Sequence, residues 1–255
     1  MGIVGNTIDI FQRIFENPQY KYVAMLDGDD WWCDENKLQM QVDLMEENEA
    51  VSFCYMRATS NINQMKAYDS SISIRNMFDD IRKTGISNGT ILHRASMMKL
   101  VPFEKLKSLN LLSMDYSTNV YMAKMGKVAY INRVSLFWRR TGNTTSSASS
   151  KEKAYRYIDH EVRQGLFLAS EFPNTSYAFS KSEAEEFRCW QMYMWAYSNK
   201  DYASITDILN NQDFPHRWLE TRGEYHFLNN KISFYAYVYF IRKVQTLIKL
   251  FQEKL

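Results

Sequence analysis

A short apolar run that stops abruptly at three aspartates constrains this chain more than any other feature. Residues 22–26, YVAML, are followed at once by residues 27–30, DGDD. An apolar run without polar alternation is typical of a strand buried in a parallel sheet. Open α/β sheets bind their ligands beyond the carboxyl ends of their strands. The aspartates are therefore predicted to stand at a ligand-binding edge of a sheet.

The segments that follow the aspartates continue the pattern of an α/β unit. Residues 34–48 have helical apolar spacing, with Asp34 as the predicted N-cap, and residues 51–55 form another apolar run. A strand, a loop, a helix and a strand in this order predict a parallel pair of strands joined by a right-handed crossover.

The segments up to about residue 150 continue the α/β pattern, and those after it are predicted to be helical only. The further predicted elements are helices at 6–16, 74–83 and 116–125, a strand at 90–93 that leads into a helix near Ala95, and a strand at 127–131. Residues 142–150, GNTTSSASS, form the clearest loop. Beyond it only helical periodicities occur, with a break at 199–201. We therefore predict an α/β domain over 1–150 and a helical region over 151–255.

Composition excludes several kinds of partner and site. Thirty-one Lys and Arg residues against 29 Asp and Glu residues leave a net charge of +2, so no nucleic-acid partner is predicted. The four histidines and three cysteines lack zinc-ligand spacing and any disulfide framework. No apolar stretch reaches the roughly 18 residues of a membrane span, and the N-terminus does not resemble a secretory signal. These features predict a cytoplasmic protein.

The crowded carboxylates at 27–30 repel one another, and a hard divalent cation with oxygen ligands is the natural neutraliser. The alternative is a tight acidic turn in which Asp30 or Asp34 caps the following helix. A calcium-binding EF-hand loop is disfavoured because Leu38 stands where its twelfth, acidic residue belongs. An aspartyl-phosphate phosphatase is disfavoured because Trp31 stands where a hydroxyl residue belongs.

Residues 21–48, KYVAMLDGDDWWCDENKLQMQVDLMEEN, resemble the Asp-x-Asp block of family 2 glycosyltransferases with the GT-A fold. The matching residues are Asp27, Asp29, Asp30, Trp32, Asp34, Lys37, Leu38 and Gln41. The resemblance implies a Rossmann-like mixed or parallel sheet and transfer of a sugar from a nucleotide-sugar donor. It also implies a divalent metal, Mn²⁺ or Mg²⁺, held by Asp29, with Asp27 reaching the metal or the donor ribose.

Two downstream blocks carry the resemblance into the acceptor side of the site. Residues 87–100 resemble the strand and loop that face the acceptor, and the resemblance implies acceptor binding by Asn88, Gly89 and Trp32. Residues 111–132 resemble the block that holds the catalytic carboxylate. This resemblance implies that Asp115 is the general base of an inverting transfer, whereas the residues alone also allow Asp115 to be a helix N-cap.

Residues 135–147 resemble the family's aromatic-Arg-x-His segment, which closes over the diphosphate. The resemblance implies donor binding by Arg139 or Arg140, and a solvated pair of arginines is the alternative. Thr141 stands where the family often has a histidine that contacts the metal. The resemblance therefore implies a metal site with one ligand fewer.

The resemblance spans about residues 6–150 and lacks the strands with which family members open, so it implies a GT-A sheet without its first strands. An open strand edge and weak donor binding are the expected consequences. Two functions remain open. One is sugar transfer to a saccharide or lipid-linked acceptor in surface polysaccharide biosynthesis. The other is a catalytically impaired remnant that acts as a binding or partner subunit.

Residues 231–255 form a basic amphipathic pattern with five basic residues and one acidic residue. This pattern predicts contact with an anionic membrane surface, which would place the protein at the inner membrane face. A terminal helix docked on the catalytic domain, or one side of a homo-oligomer, is the alternative. A membrane-surface adaptor without enzymatic activity is a further hypothesis.

Overall fold

A computed structural model describes residues 3–65, 68–139 and 150–215. The chain divides into two compact units, Met1–Thr145 with Asn174–Tyr177, and Ser146–Pro173 with Ala178–Leu255. Each unit is described by itself. The predicted amphipathic helix at 231–255 and the predicted phosphate ligand Arg140 lie outside the described residues.

The first unit is a mixed α/β structure, and the predicted α/β class is confirmed. Its helices are α1 (Ile3–Glu16), α2 (Lys37–Glu46), α3 (Ala95–Met98), α4 (Phe103–Ser108) and α5 (Asp115–Met125). Its strands are β1 (Tyr22–Ala24), β2 (Trp31–Trp32), β3 (Val51–Thr59), β4 (Tyr68–Arg75), β5 (Leu92–Arg94) and β6 (Lys127–Phe137), and 3₁₀ turns lie at Ile62–Gln64, Phe78–Lys83 and Asn88–Thr90. The six strands form one sheet in the order β1-β5-β3-β6-β2, and β4 also pairs with β6.

The predicted direct pairing of the strand at 22–26 with the strand at 51–55 is wrong. β5 lies between β1 and β3 and is antiparallel to both, so that His93 pairs with Val23 on one side and with Phe53 on the other. β3 pairs in parallel with β6 instead. Apolar patterns identify strands but not their partners, because pairing depends on contacts between residues that are distant along the chain.

Two predicted helices also need correction. The helix predicted at 34–48 begins only at Lys37, with Asn36 at the N-cap position. Asp34 is therefore not the N-cap; its carboxylate accepts a hydrogen bond from the Asn36 amide at 3.0 Å and pairs with Arg133. The helix predicted at 74–83 is instead the end of β4 and a 3₁₀ turn, because the backbone up to Arg75 is paired with β6.

The sheet lies between α2 and α5. Cys54 and Leu92 face α2 and pack in one buried cluster with its residues Leu44 and Met45. His93, which alternates with Leu92 on β5, points to the other face and contacts Asn119 of α5. This arrangement holds both helices against the two central strands, so their amino-terminal turns are fixed relative to the sheet.

The second unit is helical, with α6 (Lys151–Glu171), α7 (Lys181–Asn199) and α8 (Tyr202–Leu209). The predicted break at 199–201 is confirmed: Lys200 adopts a left-handed backbone with φ 58° and ends α7, and Asp201 caps α8 by accepting a hydrogen bond from the Ser204 amide. In the described part of the chain, no helix has the length and apolar character needed to cross a membrane.

Candidate active site

The acidic loop between β1 and β2 turns sharply and leaves two carboxylates available. The Asp30 amide donates to the Asp27 carbonyl at 3.1 Å, which closes the turn. The Asp30 carboxylate accepts a hydrogen bond from the Arg139 amide at 2.9 Å. The side chains of Asp27 and Asp29 form no hydrogen bond or ion pair with residues that the structure describes. These two carboxylates are therefore available to a ligand.

Asp115 is the first residue of α5, and its carboxylate does not cap the helix. The N-cap position belongs to Met114, and no side chain makes a capping hydrogen bond there. The alternative role of Asp115 as an N-cap is therefore wrong. Among the described residues, its carboxylate has no hydrogen-bonding partner, although the residue is partly buried.

Asp115 lies close enough to Asp27 for the charge of Asp27 to affect its pKa. Burial, and after it the nearby negative charge of Asp27, raise the pKa of Asp115 to about 6. The pKa of Asp27 is also raised, first because its carboxyl group is partly desolvated and then because Asp30 and Asp29 repel its charge. The fold thus brings together carboxylates from two distant blocks of the sequence.

The residues predicted to face the acceptor lie beside this loop. Asn88 and Gly89 form the 3₁₀ turn before β5, and the Trp32 indole nitrogen donates to the Gly89 carbonyl at 2.8 Å. The Asn88 amide nitrogen lies 3.9 Å from the Met25 sulfur, just before the acidic loop. The Asn88 side-chain oxygen is buried and has no hydrogen-bond partner among the residues that the structure describes. An unsatisfied buried acceptor is costly, so this oxygen is a candidate ligand group.

Arg139 is also placed at the acidic loop. Besides the bond from its amide to Asp30, its guanidinium lies 5.3 Å from the ring of Trp31. Trp31 in turn stacks on Phe137 with ring centroids 4.2 Å apart. This stack keeps a positive charge next to the aspartates, which is where the donor's phosphates were predicted. Arg140 and Thr141, the other members of this block, lie outside the described residues.

The side chains that could ligate a divalent cation at this site form only part of a ligand shell. Asp27 and Asp29 supply carboxylate oxygens, the ligands that Mg²⁺ and Mn²⁺ prefer. Among the described residues, no group of three or more His, Cys, Asp or Glu side chains is placed to hold a metal ion. Mg²⁺ commonly binds through one or two carboxylates and completes its shell with substrate phosphates and water. The two aspartates are therefore suited to a cation that arrives with a phosphorylated ligand.

Two buried polar residues near the site, Lys37 and Gln41, have no role that the sequence analysis predicts. Lys37 is 1% exposed and Gln41 is fully buried, and both stand on the inner face of α2. The Lys37 amine donates to the Gln41 side-chain oxygen at 2.8 Å. Their spacing of four residues on a predicted helix was the available signal, because it places both polar side chains on the face that carries apolar residues.

Comparison with known proteins identifies a family model that matches part of the chain. Residues 11–109 match the model of the family described as Glycosyl transferase family 2, a segment that contains the acidic loop and the turn at Asn88–Thr90. No curated protein matches the chain. Residues 11–109 are thus similar to glycosyl transferase family 2, and the mixed α/β sheet of the first unit is consistent with a GT-A-like fold.

Proposed function

We propose that this protein is an inverting glycosyltransferase that moves a sugar from a nucleotide-sugar donor to a hydroxyl group of a saccharide or lipid-linked acceptor. The observation that carries the proposal is that the charge of Asp27 contributes to the raised pKa of Asp115, although these two carboxylates come from distant parts of the sequence, and that neither has a partner among the described residues. The family match over residues 11–109 supports the glycosyl transfer class. Surface polysaccharide assembly at the cytoplasmic face of a membrane is the setting that we propose for it.

In this mechanism Asp115 is the general base. Its pKa of about 6 leaves it mostly ionised at neutral pH while keeping it basic enough to accept a proton. It removes the proton of the acceptor hydroxyl as that oxygen attacks the anomeric carbon. The bond from the anomeric carbon to the diphosphate oxygen breaks on the opposite face, which inverts the configuration.

The donor side of the site is assigned to the acidic loop. Asp29 and Asp27 would hold Mn²⁺ or Mg²⁺, which supplies Lewis-acid stabilisation of the departing diphosphate. Arg139 lies beside them, and with Arg140 it would bind phosphate oxygens through charge-assisted hydrogen bonds. The exposed position of Arg139 allows its guanidinium to move from the Trp31 ring to a bound phosphate.

The acceptor side is assigned to the turn that precedes β5. The unpartnered Asn88 oxygen would accept a hydrogen bond from an acceptor hydroxyl, which would satisfy a buried polar atom. Gly89 keeps the backbone close to Leu136: a Cβ atom at this position would lie 3.0 Å from two Leu136 methyl carbons. Trp32 borders the turn through its bond to the Gly89 carbonyl.

A second candidate function is that of a binding or partner subunit with impaired catalysis. β1 lies at the end of the described sheet order, and among the described strands it pairs only with β5. Exposed strand edges are ready templates for pairing with another chain. This geometry supports association with another polypeptide or with a second copy of the protein.

Purified protein, Mn²⁺ and a panel of nucleotide sugars provide the test. We expect donor hydrolysis, transfer to an added acceptor and metal-dependent nucleotide binding in the wild type. Asp115→Asn should lower the transfer rate by about 10²–10⁴-fold, the range for loss of a general base, while nucleotide binding persists. Nucleotide binding without turnover in the wild type would favour the partner subunit, and the absence of both would exclude the enzyme.

A further inference from the structure

Lys37 is a buried cation without a carboxylate partner among the described residues. Its side chain donates to the Gln41 oxygen at 2.8 Å, and its amine lies 4.6 Å from the centre of the Trp32 ring. Burial lowers the pKa of Lys37 to about 8. A buried charge is costly, and an apolar side chain of similar volume is often at least as stable. Packing alone therefore does not account for lysine at this position.

The two partners of Lys37 both reach the turn that precedes β5. The Gln41 amide nitrogen donates to the carbonyls of Cys54 and Thr90, each at 2.9 Å, so both of its hydrogens are used and its oxygen faces Lys37. The Trp32 indole donates to the Gly89 carbonyl at 2.8 Å. Two consecutive carbonyls of the turn are thus held by two side chains that meet at one ammonium group.

We propose that Lys37 is a positioning residue, whose ammonium group holds Trp32 and Gln41 and thereby sets the turn at Asn88–Thr90 against the acidic loop. The inference rests on the proposed function, in which Asn88 contacts the acceptor and the aspartates bind the donor. Lys37 touches neither substrate. It fixes the distance between the two binding regions, and misplacement by about 1 Å can cost on the order of 10²-fold in rate.

The kinetic test uses Lys37→Met, which keeps the length of the side chain and removes its charge. We expect the KM for the acceptor to rise about tenfold and kcat for transfer to fall about tenfold. Donor hydrolysis and metal-dependent nucleotide binding should stay within about twofold of the wild type, because the acidic loop itself is intact. Lys99→Met is the matched control, since Lys99 is an exposed lysine away from this cluster.

A second measurement does not depend on activity. The indole proton of Trp32 is hydrogen-bonded to Gly89, and its hydrogen exchange can be followed by NMR after assignment with Trp32→Phe, since the chain has six tryptophans. We expect about tenfold faster exchange in Lys37→Met. The Cys33 amide, which donates to the Ser135 carbonyl at 3.0 Å, should exchange at an unchanged rate because it reports on the pairing of β2 with β6.

The outcomes separate this inference from the proposed function. Unchanged exchange at Trp32, or equal losses of transfer, hydrolysis and nucleotide binding, would overturn the role of Lys37. If the wild type shows neither hydrolysis nor transfer, the proposed function fails, and the exchange rate alone decides whether Lys37 holds the turn. Should Lys37→Met not fold, Lys37→Gln removes the charge while keeping a hydrogen-bond donor, and the same exchange difference is expected.

Discussion

Individual carboxylates in this protein differ in chemistry because their surroundings differ. Asp34 is buried and paired with Arg133, so its charge is balanced within the fold. The Asp30 carboxylate accepts a hydrogen bond from the Arg139 amide. Asp27 and Asp115 have no such partner among the described residues, and the charge of Asp27 contributes to the raised pKa of Asp115. The carboxylates that the described fold leaves without a counter-charge are therefore the candidates for ligand binding and proton transfer.

The coupling of Asp27 and Asp115 can be measured directly. Desolvation is the main cause of the raised pKa of Asp115, and repulsion by Asp27 adds to it, so Asp27→Asn should lower that pKa below about 6. Carboxyl NMR titration of metal-free protein would show the change. The ionised, basic form of Asp115 would then persist to lower pH, because protonation occurs only as pH falls through the pKa.

The control for this titration is Asp34→Asn, since the charge of Asp34 does not contribute to the raised pKa of Asp115. An unchanged Asp115 titration in Asp27→Asn would mean that the two carboxylates do not share a site. Such a result would also remove the observation on which the proposed function depends.

At the scale of elements, the sequence indicated the acidic loop and the start of α5 but not how strands pair. The apolar run at 22–26 ended in aspartates, and the structure places these at the end of β1, as expected. β5 contains only three residues, so nothing in its pattern shows that it separates β1 from β3. The helix predicted at 74–83 failed because pairing with β6 outweighed local periodicity.

The candidate site residues divide in the same way: the sequence indicates the residues themselves, but not how they come together. Asp115 and Asn88 were predicted from blocks of similar sequence, whereas their proximity to the acidic loop depends on how α5 and the turn before β5 pack. The spacing of Lys37 and Gln41 places both on one face of the predicted helix but does not show how deeply Lys37 is buried, because an exposed lysine on a helix can have the same spacing. Both the proximity of these residues and the burial of Lys37 depend on long-range packing, which a local sequence pattern does not show.

The ion pair of Arg133 with Asp34 ties β6 to the segment that precedes α2, and its loss should be costly. Both side chains are largely removed from solvent, at 19% and 1% exposed. Arg133→Met would leave the Asp34 carboxylate buried without its partner, which we expect to lower the free energy of unfolding by about 3 kcal/mol. Urea denaturation measures this change.

Two variants accompany the Arg133 measurement. Arg57→Met, at an exposed arginine of β3, should change the free energy of unfolding by no more than about 0.5 kcal/mol. The double variant Asp34→Leu with Arg133→Met removes both charges and should recover part of the loss. A loss below about 1 kcal/mol in Arg133→Met would show that the pair does not hold these elements together.

At the scale of the whole molecule, the site is built within one of the two units. Its described side chains come from the loop after β1, from β2 and α2, from the turn before β5, from the start of α5 and from the segment after β6, all within the first unit. The family model ends at residue 109, before Asp115, yet the charge of Asp115 is coupled to Asp27 inside the matched segment. The candidate site therefore extends past the matched segment to include the start of α5.

Ligand binding at this site should stabilise the chain only when metal and nucleotide are both present. Because the acidic loop offers the two carboxylates of Asp27 and Asp29, and no group of three or more potential ligands is placed to hold a metal among the described residues, we expect Mn²⁺ alone, or a nucleoside diphosphate alone, to shift the Tm little. Together, at about 100 times the Kd, they should add about 2.7 kcal/mol, a rise of several degrees in Tm. Differential scanning calorimetry with each component separately and together measures the shift.

Chelation and one variant make this prediction specific. EDTA should reverse the shift, since the phosphate oxygens bind through the cation, and Asp29→Asn should abolish it by removing a carboxylate from the cluster. Asp43→Asn, at a carboxylate on α2 that accepts a bond from Gln39, should leave it unchanged. A shift that survives EDTA would mean that the nucleotide binds without metal, and the acidic loop would then need another role, because bare carboxylates repel a diphosphate.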